Sequence, residues 1–207
     1  NLAPGINNDV AFGSAGSGLA YQLDGVDTSD PEGGTAWSFV NYNIVEEVQL
    51  VGLGAPAEYG SFTGVVFNSV TKSGGNEYKG LVDAYYSNKS LSDSFSGEEF
   101  EGLNPTNESF IDTTAQIGGP FIQDKLWYFI SGEYQNSVTT PFGAVDTSDR
   151  ELPRILGKLT YQANSQHRLS LMAEYDTVTN ERRGIDQYVL PEASSKQDGP
   201  NQSISLD

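Results

Sequence analysis

The stretch FIDTTAQIGGPFIQDKLWYFISGEYQNSV, residues 110–138, decides the architecture. Two alternating segments flank a tight connection at 119–123. In 110–118, Ile111, Thr113, Ala115 and Ile117 oppose Asp112, Thr114 and Gln116. In 124–138, Leu126, Tyr128, Ile130, Gly132 and Tyr134 oppose Ser131, Glu133 and Gln135. A period of two puts each set on its own side of a pleated strand. The pattern continues over 154–163, where Ile155, Gly157, Leu159 and Tyr161 oppose Lys158, Thr160 and Gln162. After a second tight connection at 164–165 it returns over 166–178. There Leu169, Leu171, Ala173 and Tyr175 oppose Arg168, Ser170, Glu174 and Asp176. Residues 78–87 read as an earlier strand and 202–206 as the beginning of a later one.

A sheet with one apolar and one polar face is also an ordinary soluble arrangement. Three features favour a membrane barrel. The segments are near the length that crosses a bilayer at a tilt. Tyrosines stand near the ends of the apolar faces, as in aromatic girdles. Connections alternate between tight ones and long polar ones at 88–109, 139–153 and 179–201, as periplasmic turns and external loops do. The expectation is an antiparallel meander whose Leu126, Tyr128, Ile130, Leu169, Leu171 and Ala173 face lipid. Glu133, Gln135, Arg168 and Glu174 then face the interior.

Composition narrows the function. The chain of 207 residues carries 28 acidic and 11 basic residues, a net charge of −17. Such a surface repels phosphate backbones, so no nucleic-acid partner is expected. There is no cysteine and a single histidine, His167, which leaves little for thiolate, triad or multi-histidine metal chemistry. No apolar run is long enough for a membrane helix. No catalytic residue and no cofactor are expected.

Upstream of 78 the character differs. Residues 1–35 are rich in Gly, Asn, Asp and Ser and read as loops and short strands. A short turn or helix runs into a strand over 42–51. Residues 63–71 read as a buried strand ending at the turn signal Lys72-Ser73-Gly74-Gly75-Asn76. Asp24, Asp27 and Asp30, with Glu32, are weak candidates for a calcium site, since hard carboxylates suit that ion. Their spacing is not that of an EF-hand, and turn-capping aspartates are the favoured reading. Glu98, Glu99 and Glu101, with Asp93 and Glu108, read as a solvated loop. His167 reads as a turn residue and Arg182-Arg183 as solvated. The Gly13–Gly18 run lacks the lysine and helix of a phosphate loop. Trp37 and Phe39 are candidates for ligand contact or for packing against a wall.

Several segments, in order, resemble one family. Tyr21-Gln22-Leu23-Asp24-Gly25-Val26-Asp27 and Glu46-Glu47-Val48-Gln49-Leu50 resemble segments of the plug domain of TonB-dependent receptors. Ala57-Glu58-Tyr59-Gly60, followed by Gly64 to Gly80, is similar to the plug's end and the first barrel strand. Gly118 to Phe129 is similar to the first periplasmic hairpin. The version of these motifs is that of Oar-like receptors. The resemblance implies an outer-membrane barrel of a Gram-negative bacterium, of about 22 strands around a plug. It further implies ligand-gated uptake driven through TonB, which would act on a segment upstream of Asn1.

On that basis residues 1–77 are expected to be the later part of a plug. Residues 78–207 are expected to be the first five strands and the start of a sixth, both chain ends reading as cuts through a longer protein. Thr71, Lys72, Ser73, Gly74, Gly75 and Asn76 would form the hinge between them, with Gly74 or Gly75 at a positive φ. The expected partners are outer-membrane lipid, TonB and an extracellular ligand of unspecified class. A surface binding or adhesion protein on the same scaffold, without transport, is the alternative.

Overall fold

A computed structural model describes residues 18–29, 41–52, 62, 64–91 and 106–207. They form two sheets. The smaller has four strands: β1 (Ala20–Leu23), β2 (Val26–Asp27), β3 (Val45–Val51) and β4 (Val66–Thr71), in the order β2-β1-β4-β3. β1 runs parallel to β4, whereas β2 and β3 are antiparallel to their neighbours. The β1–β2 hairpin turns on Asp24 and Gly25, both at positive φ (47° and 80°), as a two-residue Asp-Gly connection requires. The 42–51 segment is a 3-10 turn at Tyr42–Ile44, capped by the Asn41 side chain, which leads directly into β3.

The larger sheet is a six-stranded antiparallel meander in strict sequence order: β5 (Lys79–Asn88), β6 (Thr106–Ile122), β7 (Leu126–Thr140), β8 (Ser148–Gln162), β9 (Arg168–Arg183) and β10 (Ser195–Leu206). The second tight connection, at 163–167, falls where alternation predicts it; the first lies at 123–125 and not at the expected 119–123, because Gly119, Pro120 and Ile122 still pair with β7. β6, β8 and β9 are longer than expected, whereas β7 has the expected length shifted two residues downstream. β6, β7, β8 and β9 hold 17, 15, 15 and 16 residues, whereas about 9–11 suffice to cross a bilayer.

β8 and β9 gain their excess at the ends away from the tight turns, β6 grows at both ends, to Thr106 and Ile122, and the long connections shorten. The expected loop 139–153 shrinks to 141–147, because Ser148–Leu152 pair with β7 and Asp149–Glu151 with β9. The expected loop 179–201 shrinks to 184–194, because β9 runs on to Arg183 and β10 begins at Ser195. The sixth strand is therefore present over Ser195–Leu206, not only as the beginning expected at 202. These extensions lack apolar alternation and so read as loop in sequence.

The meander is inverted relative to a water-soluble sheet. On one face Ile117, Ile130, Ile155, Leu159, Leu169, Leu171 and Tyr175 are exposed. On the other Thr114, Gln116, Ser131, Glu133, Lys158, Thr160, Glu174 and Asp176 are buried. The expected division of faces is the observed one, with Ile130 outward and Glu133 inward. An exposed apolar face opposite a buried polar one is the arrangement of strands in a membrane barrel.

Candidate functional site: the seam between the sheets

The small sheet sits on the polar face of the meander, and the seam between them is where named side chains converge. Its apolar part is small. Leu23 and Ile44 meet Phe129, Leu156 and Met172, with Val45 against the edge. Phe129, Leu156 and Met172 break the alternation, since they are large apolar residues on an otherwise polar face. Sequence reading passed over them, although that break was the signal that something docks there.

The polar part is more elaborate. Lys158 on β8 donates to Asp24 Oδ2 (3.0 Å), to the Thr71 carbonyl (3.2 Å) and to Thr71 Oγ1 (2.9 Å). Those three acceptors use all three ammonium donors. Asp24 in turn accepts from the Thr71 amide (2.9 Å) and hydroxyl (2.5 Å). The ion pair is nearly enclosed, with Lys158 and Asp24 side chains 8% and 11% exposed. A charge pair taken from water is tolerated when its remaining hydrogen-bonding capacity is met in this way. A second polar contact joins Asn41 Nδ2 to Thr114 Oγ1 (2.9 Å), with Asn43 Nδ2 at 3.4 Å from the same oxygen. Beside it the wall carries its own ion pair, Arg154–Glu133 at 2.8 Å.

Two clefts open along the seam. One, of about 620 Å³, is lined by Glu46, Lys72, Asn76, Leu81, Gln116 and Phe129. The other, of about 660 Å³, is lined by Asp24, Gln49, Asn68, Lys158, Met172 and Ile204.

The candidate residues separate cleanly. Asp24 belongs to the seam, its carboxylate committed to Thr71 and Lys158. Asp27 accepts from the Ser29 amide (2.9 Å), an ordinary turn-capping contact. Asp30, Glu32, Trp37, Phe39, Asp93, Glu98, Glu99, Glu101, the Gly13–Ser17 part of the glycine run and Ala57–Gly60 lie outside the described residues. Among the described residues no cluster of carboxylates and imidazoles is arranged to hold a metal ion. His167 sits in the β8–β9 turn, its amide bonded to Asn164 Oδ1 (3.0 Å) and its carbonyl accepting from Ala163. Arg182 is not merely solvated: its guanidinium bonds the Thr147 carbonyl and hydroxyl, tying the connection before β8 to the end of β9.

The segment Thr71–Asn76 joins β4 of the small sheet to β5 of the meander. The expected reason for its glycines needs correction, because neither Gly74 nor Gly75 is at positive φ. Close approach, not dihedral freedom, explains Gly74: a Cβ there would lie 2.2 Å from the Tyr128 carbonyl oxygen. Gly75 has open space around it.

Comparison with known proteins places this geometry. No family model matches the chain. It is 31% identical to the TonB-dependent transporter Oar of Myxococcus xanthus, over an alignment that takes in 82% of this chain and 20% of that protein. The fold resembles those of the siderophore receptor PirA from Acinetobacter baumannii (TM-score 0.68, 20% identity, 93% of this chain and 30% of that one). It also resembles the outer membrane transporter YddB from Escherichia coli (TM-score 0.67, 16% identity, 94% of this chain and 29% of that one). A third likeness is to the ferric enterobactin receptor PfeA from Pseudomonas aeruginosa (TM-score 0.62, 16% identity, 93% and 30%). The chain thus spans about a fifth of the curated relative and under a third of each of these structures.

Proposed function

The chain belongs with the Oar-like TonB-dependent receptors of the Gram-negative outer membrane, and from that premise we propose that the whole protein binds an extracellular ligand and carries it inward with energy from TonB. In this reading residues 1–77 are the later part of the plug and 78–207 open the barrel wall. The chemistry is binding and gating, with no bond made or broken.

The observation that carries the reading is the polar seam. A plug that must move needs an interface that is specific at rest and inexpensive to open. Hydrogen bonds serve this purpose, since water replaces them on separation and each contributes only about 0.5–1.5 kcal/mol net. Apolar surface exposed to water costs about 25 cal/mol per Å², and here the apolar contact is confined to the Leu23–Ile44–Phe129–Leu156–Met172 cluster.

The test uses cells that express the full-length protein, with and without TonB, offered labelled ferric chelates, peptides and oligosaccharides. Uptake of at least one class, lost without TonB, is expected. Binding without TonB-dependent uptake of any class would favour the adhesion reading instead.

A further inference from the structure

We propose that the plug–wall junction is a two-point anchor and not a free swivel, with Lys158 and Asn76 as its positioning residues. This deepens the proposed function by locating where the small sheet is held. At the upstream end, Thr71 is held by Lys158 of β8 through both its carbonyl and its hydroxyl. At the downstream end, Asn76 grips the β6–β7 turn with its whole amide. Its Oδ1 accepts from the Asp124 amide (2.9 Å) and from Trp127 Nε1 (2.7 Å), and its Nδ2 donates to Asp124 Oδ1 (2.6 Å). Two further contacts reinforce that end. Gly74 lies against the Tyr128 backbone, and Tyr78 donates from its hydroxyl to the Pro120 carbonyl (3.1 Å).

The turn that Asn76 grips is built to receive it. Asp124 is at positive φ (59°), a conformation an aspartate adopts at modest cost and one that presents its amide and carboxylate together. Between the anchors, Lys72 donates its amide to the Ile44 carbonyl (2.8 Å), which ties it to the small sheet. Only Ser73 lies exposed between the contact to Ile44 and the contact to Tyr128. Any bend between sheet and wall while both anchors hold therefore falls on the exposed Ser73 and Gly75, and opening requires Lys158 to release Thr71 and Asp24.

The experiment is amide hydrogen exchange on the purified full-length receptor in detergent, comparing wild type with Asn76→Ala, Lys158→Met and Lys158→Arg. Asn76→Asp serves as a second variant at position 76: it keeps the acceptor for Trp127 and places a like charge against Asp124. Exchange in the peptide covering 66–78 should accelerate at least tenfold in Lys158→Met and severalfold in Asn76→Ala and Asn76→Asp. Exchange in β7–β9 should stay as in wild type, and Lys158→Arg, which still reaches Asp24, should restore most of the protection. Unchanged exchange at 66–78 in both Asn76→Ala and Lys158→Met would overturn the anchor. Acceleration spread over the whole wall would overturn it too, by reducing both residues to general stability. Exchange needs no ligand and no TonB, so failure of the uptake experiment would leave this result standing.

Discussion

The two sheets differ in what they bury and what they expose. In the small sheet the apolar Leu23 and Val66 are fully buried beside the polar Thr71, and β3 is exposed along its length from Glu46 to Leu50. In the meander one row across the strands is Thr114, Glu133, Arg154 and Asp176, all buried but the half-buried Arg154, and the residues beside them along the strands include the exposed Tyr134, Ile155 and Tyr175. The alternation alone does not say which face is inside. What says so is what each face can accept: hydrocarbon suits the apolar outside of the meander, and the small sheet docks on its polar inside. One chain therefore contains a small sheet docked through a mixed polar and apolar face and a meander with an exposed apolar face, joined by a few residues.

Removing the lipid should have the largest effect. The 207-residue piece, expressed alone in plain buffer, should aggregate or remain without a cooperative unfolding transition. Its exposed apolar stripe exceeds what monomers tolerate, and β5 and β10 leave unpaired edges. A sharp monomer peak by size-exclusion chromatography, with cooperative melting, would erase the difference between the two sheets.

A smaller effect comes from a single side chain on the lipid side. Ile130 lies about a third of the way along β7 from its tight-turn end, which puts it near the bilayer midplane. Ile130→Arg in the full-length protein should cost about 2–4 kcal/mol, measured by reversible folding into vesicles. The polar change Ser131→Asn, one residue along and inward, should leave bilayer insertion intact and act only through local packing.

The smallest effect separates the neighbouring glycines at the junction. Gly74→Ala forces the chain away from Tyr128 and should cost about 1–3 kcal/mol, as other overpacked sites do. Gly75→Ala meets open space and should stay within about 0.5 kcal/mol of wild type. Equal costs, read from protease resistance of 66–78, would show that close packing does not constrain this segment.

The strands, their order and the sense of their faces were legible, because alternation depends only on neighbouring residues. The outer strand ends were not: Asp149, Arg150 and Glu151 on β8 and Asn180, Glu181 and Arg182 on β9 pair as strand but are polar on both faces, so nothing in their order distinguishes them from loop. The seam was legible only in part. Phe129, Leu156 and Met172 betray themselves by breaking the pattern. Lys158 and Asp24 do not, since 134 positions separate them and each alone is an ordinary polar residue, one on a strand and one in a turn. Gly74 was singled out for a dihedral reason, whereas its neighbour across space, Tyr128, supplies the constraint. Contacts of that kind arise from docking one sheet on another, which no local pattern encodes.

The central claim is that the meander's apolar face meets lipid and its polar face meets the plug. The most direct measurement places a nitroxide at each position from 126 to 136 of the full-length receptor in vesicles and reads collision with dissolved oxygen against collision with a water-soluble nickel chelate. The account predicts a period of two, with oxygen contact highest at 126, 128, 130, 132 and 134 and low at 129, 131 and 133. A profile without that alternation, or one with its maxima at 131 and 133, would contradict it.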